Sequence, residues 1–96
     1  MKHYIYFMQC KGFIKIGKSR DVKYRQGELQ GGNPFKLECL GTIECECESD
    51  ERTNGRYCET EPILHEHFKH LKEQNEWYSA DEELLNYIQE HAEPVV

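Results

Sequence analysis

The alternation of apolar and polar positions opens as strand and turns helical after about residue 21. Tyr4-Ile5-Tyr6-Phe7-Met8-Gln9-Cys10 is rich in aromatic and β-branched residues and predicts a strand. Lys11-Gly12 supplies turn chemistry, and Phe13-Ile14-Lys15-Ile16-Gly17 predicts a second strand, antiparallel to the first because the connection is so short. Ser19 or Asp21 can cap a helix through about Gln30, with Val22, Arg25 and Leu29 spaced along one face. Gly31-Gly32-Asn33-Pro34 then ends it.

From Phe35 to about Cys47 the chain predicts a third strand, with Leu37, Cys39, Ile43 and Cys45 at alternating positions around Gly41. Glu44 to Arg56 is acidic, contains Asn-Gly and predicts a polar loop. Thr60-Glu61-Pro62 opens a helix expected to run to about Gln74, its core face made by Ile63, Leu64, Phe68 and Leu71. Phe68 and Trp77 are expected core anchors, Trp77-Tyr78 forming a short extended piece. Ser79 and Asp81 precede a last helix that buries Leu84, Leu85 and Ile88. The expected order is β-β-α-β-α-α: one α+β domain over residues 1–96, with a three-stranded antiparallel sheet flanked by helices.

Charge sharpens this picture. The net charge is -6, which on its face argues against a polyanionic partner. Its distribution argues the other way. Residues 1–36 carry eight Lys and Arg against Asp21 and Glu28, whereas residues 37–96 carry four against sixteen acids. One part of the surface is therefore expected to handle phosphates, and the acidic half to be solvated or to meet a protein partner. No run approaches 18 apolar residues and Met1-Lys2-His3-Tyr4 lacks an apolar leader, so neither a membrane span nor a secretory peptide is expected, and the cytoplasm (the host's, for a phage protein) is the expected compartment.

Five cysteines, with no leader, point to reduced thiols. Cys45 and Cys47 are separated by one residue, as are His65 and His67, and such pairs are poor zinc chelators beside the usual two- to four-residue spacing.

Four short segments carry a resemblance. Tyr4-Ile5-Tyr6 followed by Lys15-Ile16-Gly17 resembles the paired motifs of the GIY-YIG nuclease superfamily, with Tyr4 in place of the first glycine and Lys15 in place of the second tyrosine. Arg25 through Leu29-Gln30, closing on Gly32-Asn33-Pro34, resembles the R-x-x-x-L-Q-x-G-N-P segment of its phage-associated branch. Glu61, Leu64-His65 and Phe68, then Glu76-Trp77-Tyr78, resemble that branch's E-x-x-L-H-x-x-F and E-W-F/Y elements. Together they span residues 4 to 88 in family order.

The resemblance implies endonucleolytic hydrolysis of DNA, with RNA left open, using one Mg²⁺ or Mn²⁺ ion. It assigns Tyr6 to the attacking water, Arg25 to the phosphate, Glu61 to the metal and His65 to the branch's histidine position. The chemistry is coherent. A phosphodiester needs its charge neutralised before attack, which an arginine fork and a hard cation on a carboxylate both provide. A tyrosine is a weak base unless cations lower its pKa; Lys15, expected across the hairpin from Tyr6, could do that or serve as the base itself. Lys11, Lys18, Arg20 and Lys23 are expected to track neighbouring phosphates, and tight sequence specificity is expected to need a homodimer or protein partner. The rival readings are a non-catalytic nucleic-acid-binding module of the same fold and a protein-interaction domain.

Overall fold

The computed structural model describes residues 2–46 and 60–94, and of Lys2, Glu46, Thr60 and Glu61 the backbone alone. Its elements are β1 (Lys2–Cys10), β2 (Phe13–Ser19), α1 (Val22–Gly31), β3 (Glu38–Glu46), α2 (Thr60–His67), a 3₁₀ turn (Lys69–Leu71), β4 (Lys72–Gln74), β5 (Trp77–Ser79) and α3 (Glu82–His91). All neighbouring strands are antiparallel, in the order β3-β1-β2-β5-β4. The fold is α+β, but with five strands rather than the expected three. The difference lies after Phe68, where the anticipated long helix breaks. α2 stops at His67, and Lys72–Gln74 turns back through Asn75, at φ 54°, as a hairpin that extends the sheet beyond β2. Asparagine tolerates that left-handed geometry. The predicted 44–56 loop falls mostly on 47–59, outside the described residues.

Strand alternation divides the core in two. Ile5, Phe7, Ile14 and Ile16 pack with Leu64, Phe68, Tyr78, Leu84 and Ile88 beneath α2 and α3. Tyr6, Met8 and Val22, with Tyr4, Leu29 and Cys39, form a smaller cluster beneath α1. Three core expectations fail here. Ile63 and Leu85 are exposed, and Trp77 is half-buried on the α1 side while its neighbour Tyr78 is fully buried. Strand β5 presents consecutive residues to opposite faces, so only one of that pair can enter the main core.

Two capping choices are resolved. Asp21 caps α1, accepting from the Tyr24 N–H at 3.0 Å, while Ser19 Oγ braces Asp21 by accepting from its N–H at 3.1 Å. Asp81 caps α3 by accepting from the Glu83 N–H. Strand β3 carries an extra residue, Leu40, opposite Phe7 and Met8. That bulge sends Cys39 toward α1 while Ile43 and Cys45 face the other core. Cys45 is disulfide-bonded, contrary to the reduced thiols expected, whereas Cys10 and Cys39 are free.

After α3 the chain returns to β3, where Thr42 and Glu93 exchange two backbone hydrogen bonds of 2.8 Å. A Cβ added at Gly41 would lie 2.9 Å from the Ala92 Cβ and 3.1 Å from the Glu93 carbonyl oxygen. Gly41→Val should therefore cost about 1–3 kcal/mol through overpacking, read as a lower denaturant midpoint with an unchanged m-value.

Candidate nucleic-acid interface

The sheet sorts charge as well as apolar area. Helix α1 carries Lys23 and Arg25 on the side of the sheet that Lys15 of β2 faces. Helix α3 and the end of α2 carry Glu66, Asp81, Glu82, Glu83 and Glu90 on the other. The charge split along the chain is only in part a split between the two faces of the sheet, since Glu28, Glu44, Glu73 and Glu76 share the α1 side. Lys18 departs from this pattern. It pairs with Ile5, and strand alternation places it with Ile14 and Ile16 on the face opposite Tyr6.

The centre of the basic side is built around a glycine. Tyr6 and Gly17 are cross-strand partners. The Tyr6 ring lies flat across Gly17, where a Cβ would overlap the phenol hydroxyl and come within 2.9 Å of Cε1. Folded down in this way, Tyr6 is 2 % exposed. One turn into α1, the Arg25 guanidinium donates to the Tyr6 hydroxyl oxygen. That bond, foremost, holds the Arg25 pKa above its ordinary value; slight burial opposes it, and the charges of Tyr6 and Glu28 assist. Arg25 Nη1 also lies 3.6 Å from Glu28 Oε1, one turn further along. Both side chains are about half exposed, so this ion pair is a weak and breakable contact. Tyr6 and Arg25, both anticipated from the sequence, therefore do meet.

Lys15 does not stand opposite Tyr6. The register pairs it with Met8, one step along the same face, and its ammonium turns outward to Glu76 at 3.4 Å and to the Trp77 ring at 5.6 Å from the centroid. His65 comes from the other side of the sheet. Strand β5 begins only at Trp77, opposite Lys15, and the Ile16 carbonyl beyond that pairing accepts from His65 Nε2 at 3.1 Å. The imidazole thus caps the peptide that leads into Gly17. Glu61 lies one turn before His65 in α2; its side chain is outside the described residues. Lys11 sits at the hairpin tip over Phe35, and Arg20 and Lys23 flank a shallow depression at the start of α1 that Glu44 and Glu93 share.

Residues quoted for their resemblance but given no role in it are structural staples. Gln30 accepts the Leu37 N–H at 2.7 Å and donates to the Phe35 carbonyl at 2.9 Å, while Gln26 donates to the Leu37 carbonyl at 3.1 Å. Asn33 accepts the Phe35 N–H at 2.9 Å in an Asx turn. Glutamines one turn apart before a glycine-rich helix end, and an asparagine after it, were the available signal for this loop clamp. Burial pushes the Cys39 thiol pKa up, which leaves it a poor nucleophile. Among the described residues no three His, Cys, Asp or Glu side chains converge as a metal cage. No described helix is long and apolar enough to cross a membrane.

Fold and face together define a small α+β domain with a basic, arginine-bearing sheet surface. Its family follows from the whole chain: residues 3–92 match the T5orf172 domain, and the chain belongs to that family, a phage-type group associated with nuclease-like and DNA-binding modules. Neither the curated proteins nor the solved structures contain a match.

The glycine gap makes a direct prediction. Gly17→Ala should displace the Tyr6 ring and cost about 1–3 kcal/mol in chemical denaturation. Tyr6→Phe, which keeps the ring and removes only the hydroxyl, should cost about 1 kcal/mol. Equal stability of Gly17→Ala and wild type would mean that the tyrosine does not need the gap.

Proposed function

We propose that the chain is a GIY-YIG-type endonuclease domain that hydrolyses DNA phosphodiesters at the Tyr6–Arg25 pair. The observation that carries this reading is the hydrogen bond from Arg25 to the Tyr6 hydroxyl over Gly17, set in the basic face of the sheet. Arg25 is half exposed and can exchange its weak contact with Glu28 for two oxygens of a phosphate, a bidentate arrangement that gains both energy and orientation. A guanidinium beside a phenol oxygen favours the phenolate, so Arg25 also prepares Tyr6 to accept a proton from the attacking water. The water oxygen forms its bond to phosphorus as the bond to the leaving oxygen breaks. Arg25 then holds the charge that develops on the phosphoryl oxygens.

Glu61 is the proposed carboxylate for one Mg²⁺ or Mn²⁺ ion, which when bound polarises the phosphoryl oxygen. One carboxylate suits an ion that keeps most of its shell as water and substrate oxygens. Its place one turn before His65 puts the start of α2 on the side of the Ile16–Gly17 peptide. Lys15, held by Glu76, is proposed to attract the incoming strand rather than to act as the base.

A second reading keeps the surface without the chemistry: a nucleic-acid-binding module. The burial of Tyr6 at 2 % exposed favours it, because a general base must reach the attacking water.

Nicking of supercoiled DNA with Mg²⁺ or Mn²⁺ separates the two. Arg25→Ala and Glu61→Gln should each lower cleavage ~10²-fold or more while DNA binding persists, and excess chelator should abolish it. Lys15→Met should reduce cleavage only a few-fold; near-complete loss would transfer the base role to Lys15. A wild type that binds but never nicks leaves the binding module as the function.

Binding has its own signature. Lys23→Ala should reduce the log–log salt slope for duplex DNA by about 0.9, one phosphate's worth, whereas Lys18→Ala on the opposite face should leave it unchanged. A slope insensitive to both would remove α1 from the interface.

A further inference from the structure

Beyond the Tyr6–Arg25 pair, along the same face, the sheet ends in an open cleft of about 520 Å³. It lies between the β1–β2 turn (Cys10, Phe13), the loop after α1 (Asn33, Phe35) and the β4–β5 hairpin (Glu73, Gln74, Trp77). We propose that this cleft binds an unpaired nucleobase of the strand whose phosphates cross Arg25, so that the domain prefers nucleic acid with a single-stranded segment. The proposal rests on the nucleic-acid reading above but not on catalysis.

Four observations point to a base. First, the cleft is aromatic on three sides, and Phe13 and Phe35 each keep 46 % of their surface exposed. Scattered exposed apolar residues need no explanation, but three rings converging on one concavity do. Second, Phe35 is held out deliberately. Its N–H and its carbonyl are both tied, to Asn33 and Gln30, so the loop presents the ring instead of collapsing over the core. Third, cations sit on the rings: Lys11 Nζ is 3.7 Å from the Phe35 centroid and Lys15 Nζ 5.6 Å from that of Trp77. Lys11 occupies a left-handed backbone position, φ 55°, which lysine adopts reluctantly and which directs it from the turn across Phe35. Aromatic platforms interleaved with cations are how sequence-tolerant single-strand binders hold bases and their phosphates.

Fourth, the remaining lining is selective. Glu73 repels a phosphate, so the group that enters the cleft is the uncharged base, whose edge Gln74 and Glu73 can meet with hydrogen bonds. The cleft also continues the proposed site. Tyr6, Met8 and Cys10 follow one another on β1, and Gly17, Lys15 and Phe13 on β2, all facing α1. Four residues of strand span roughly 13 Å, which is about four nucleotides at duplex rise and fewer in an extended strand.

The chain has a single tryptophan, Trp77, and it lies in this cleft, so its emission reports the cleft alone. Titrate the protein at low salt with a homopyrimidine oligonucleotide, an abasic deoxyribose-phosphate chain of the same length, and a blunt duplex, following Trp77 emission and, separately, anisotropy of labelled nucleic acid. The single strand should quench Trp77 and bind more tightly than the abasic chain; the duplex should bind with little quenching. Phe35→Ala should weaken single-strand binding by about 5- to 100-fold and leave duplex affinity within about twofold. Phe35→Trp should restore single-strand binding, which a merely unfolded loop would not.

If single strand and duplex both bind but Phe35→Ala is silent, or the abasic chain binds equally well, the cleft proposal falls while the nucleic-acid reading stands. If no nucleic acid binds, both fall together. Emission that changes with protein concentration alone would assign the cleft to a second copy of the chain and overturn the proposal.

Discussion

Helix α1 is almost wholly polar, and of its ten residues only Val22 is buried. It nevertheless lies on the sheet, because the sheet offers it a floor with a hole in it. Gly17 removes the one side chain that would lift the Tyr6 ring, the ring folds down, and its hydroxyl turns up where Arg25 can donate to it. A hydrogen bond to a part-exposed guanidinium contributes about 1 kcal/mol. The same contact therefore docks the helix and sets the distance between the two groups proposed to handle a phosphate. Stability and site share one interaction, so neither is adjustable without the other.

The sheet's second contribution is insulation. Ile5, Phe7, Ile14 and Ile16 on one face carry most of the apolar burial under α2 and α3. That leaves the other face free to be small, polar and cationic. Acidic side chains gather on α3 and the end of α2, and the apolar layer separates them from the α1 side. A chain with net charge -6 can in this way present a basic surface, since a polyanion responds to the local field and not to the sum.

Loops and strand ends complete the surface by hydrogen bonding where apolar area is lacking. Gln26 and Gln30 treat the backbone of Leu37 much as a neighbouring strand would, taking its N–H and supplying its carbonyl. His65 does the same for the Ile16 carbonyl where β5 runs out. Buried backbone groups must be paired, and in so small a domain side chains do part of the pairing. The resemblance in the glutamine- and asparagine-bearing segment is accordingly explained by architecture: these residues hold Phe35 and Leu37 rather than touch a phosphate.

Much of this was legible in the chain itself. Aromatic and β-branched richness around a short turn defined β1 and β2, and period-two alternation most of β3; Ser19 or Asp21 marked the start of α1, Ser79 and Asp81 that of α3, and Gly31-Gly32 the end of α1. These are local signals, written in backbone geometry and side chains a few residues apart. Tyr6 and Arg25 were singled out by the family resemblance and by no local pattern. What tertiary structure alone decided is where long-range partners compete. Helical spacing favoured a continuous α2, but Lys72–Gln74 gains more as a strand beside β5, so the helix broke. Lys15 belonged to Tyr6 by proximity in the hairpin, yet Glu76, distant in sequence, brought a carboxylate to 3.4 Å and took it. Trp77 read as core because it is large and apolar, and Tyr78 displaced it because adjacent strand residues must face opposite ways. A local pattern states what a segment can do; which partner it finds depends on the sheet order, and sheet order is a property of the folded chain.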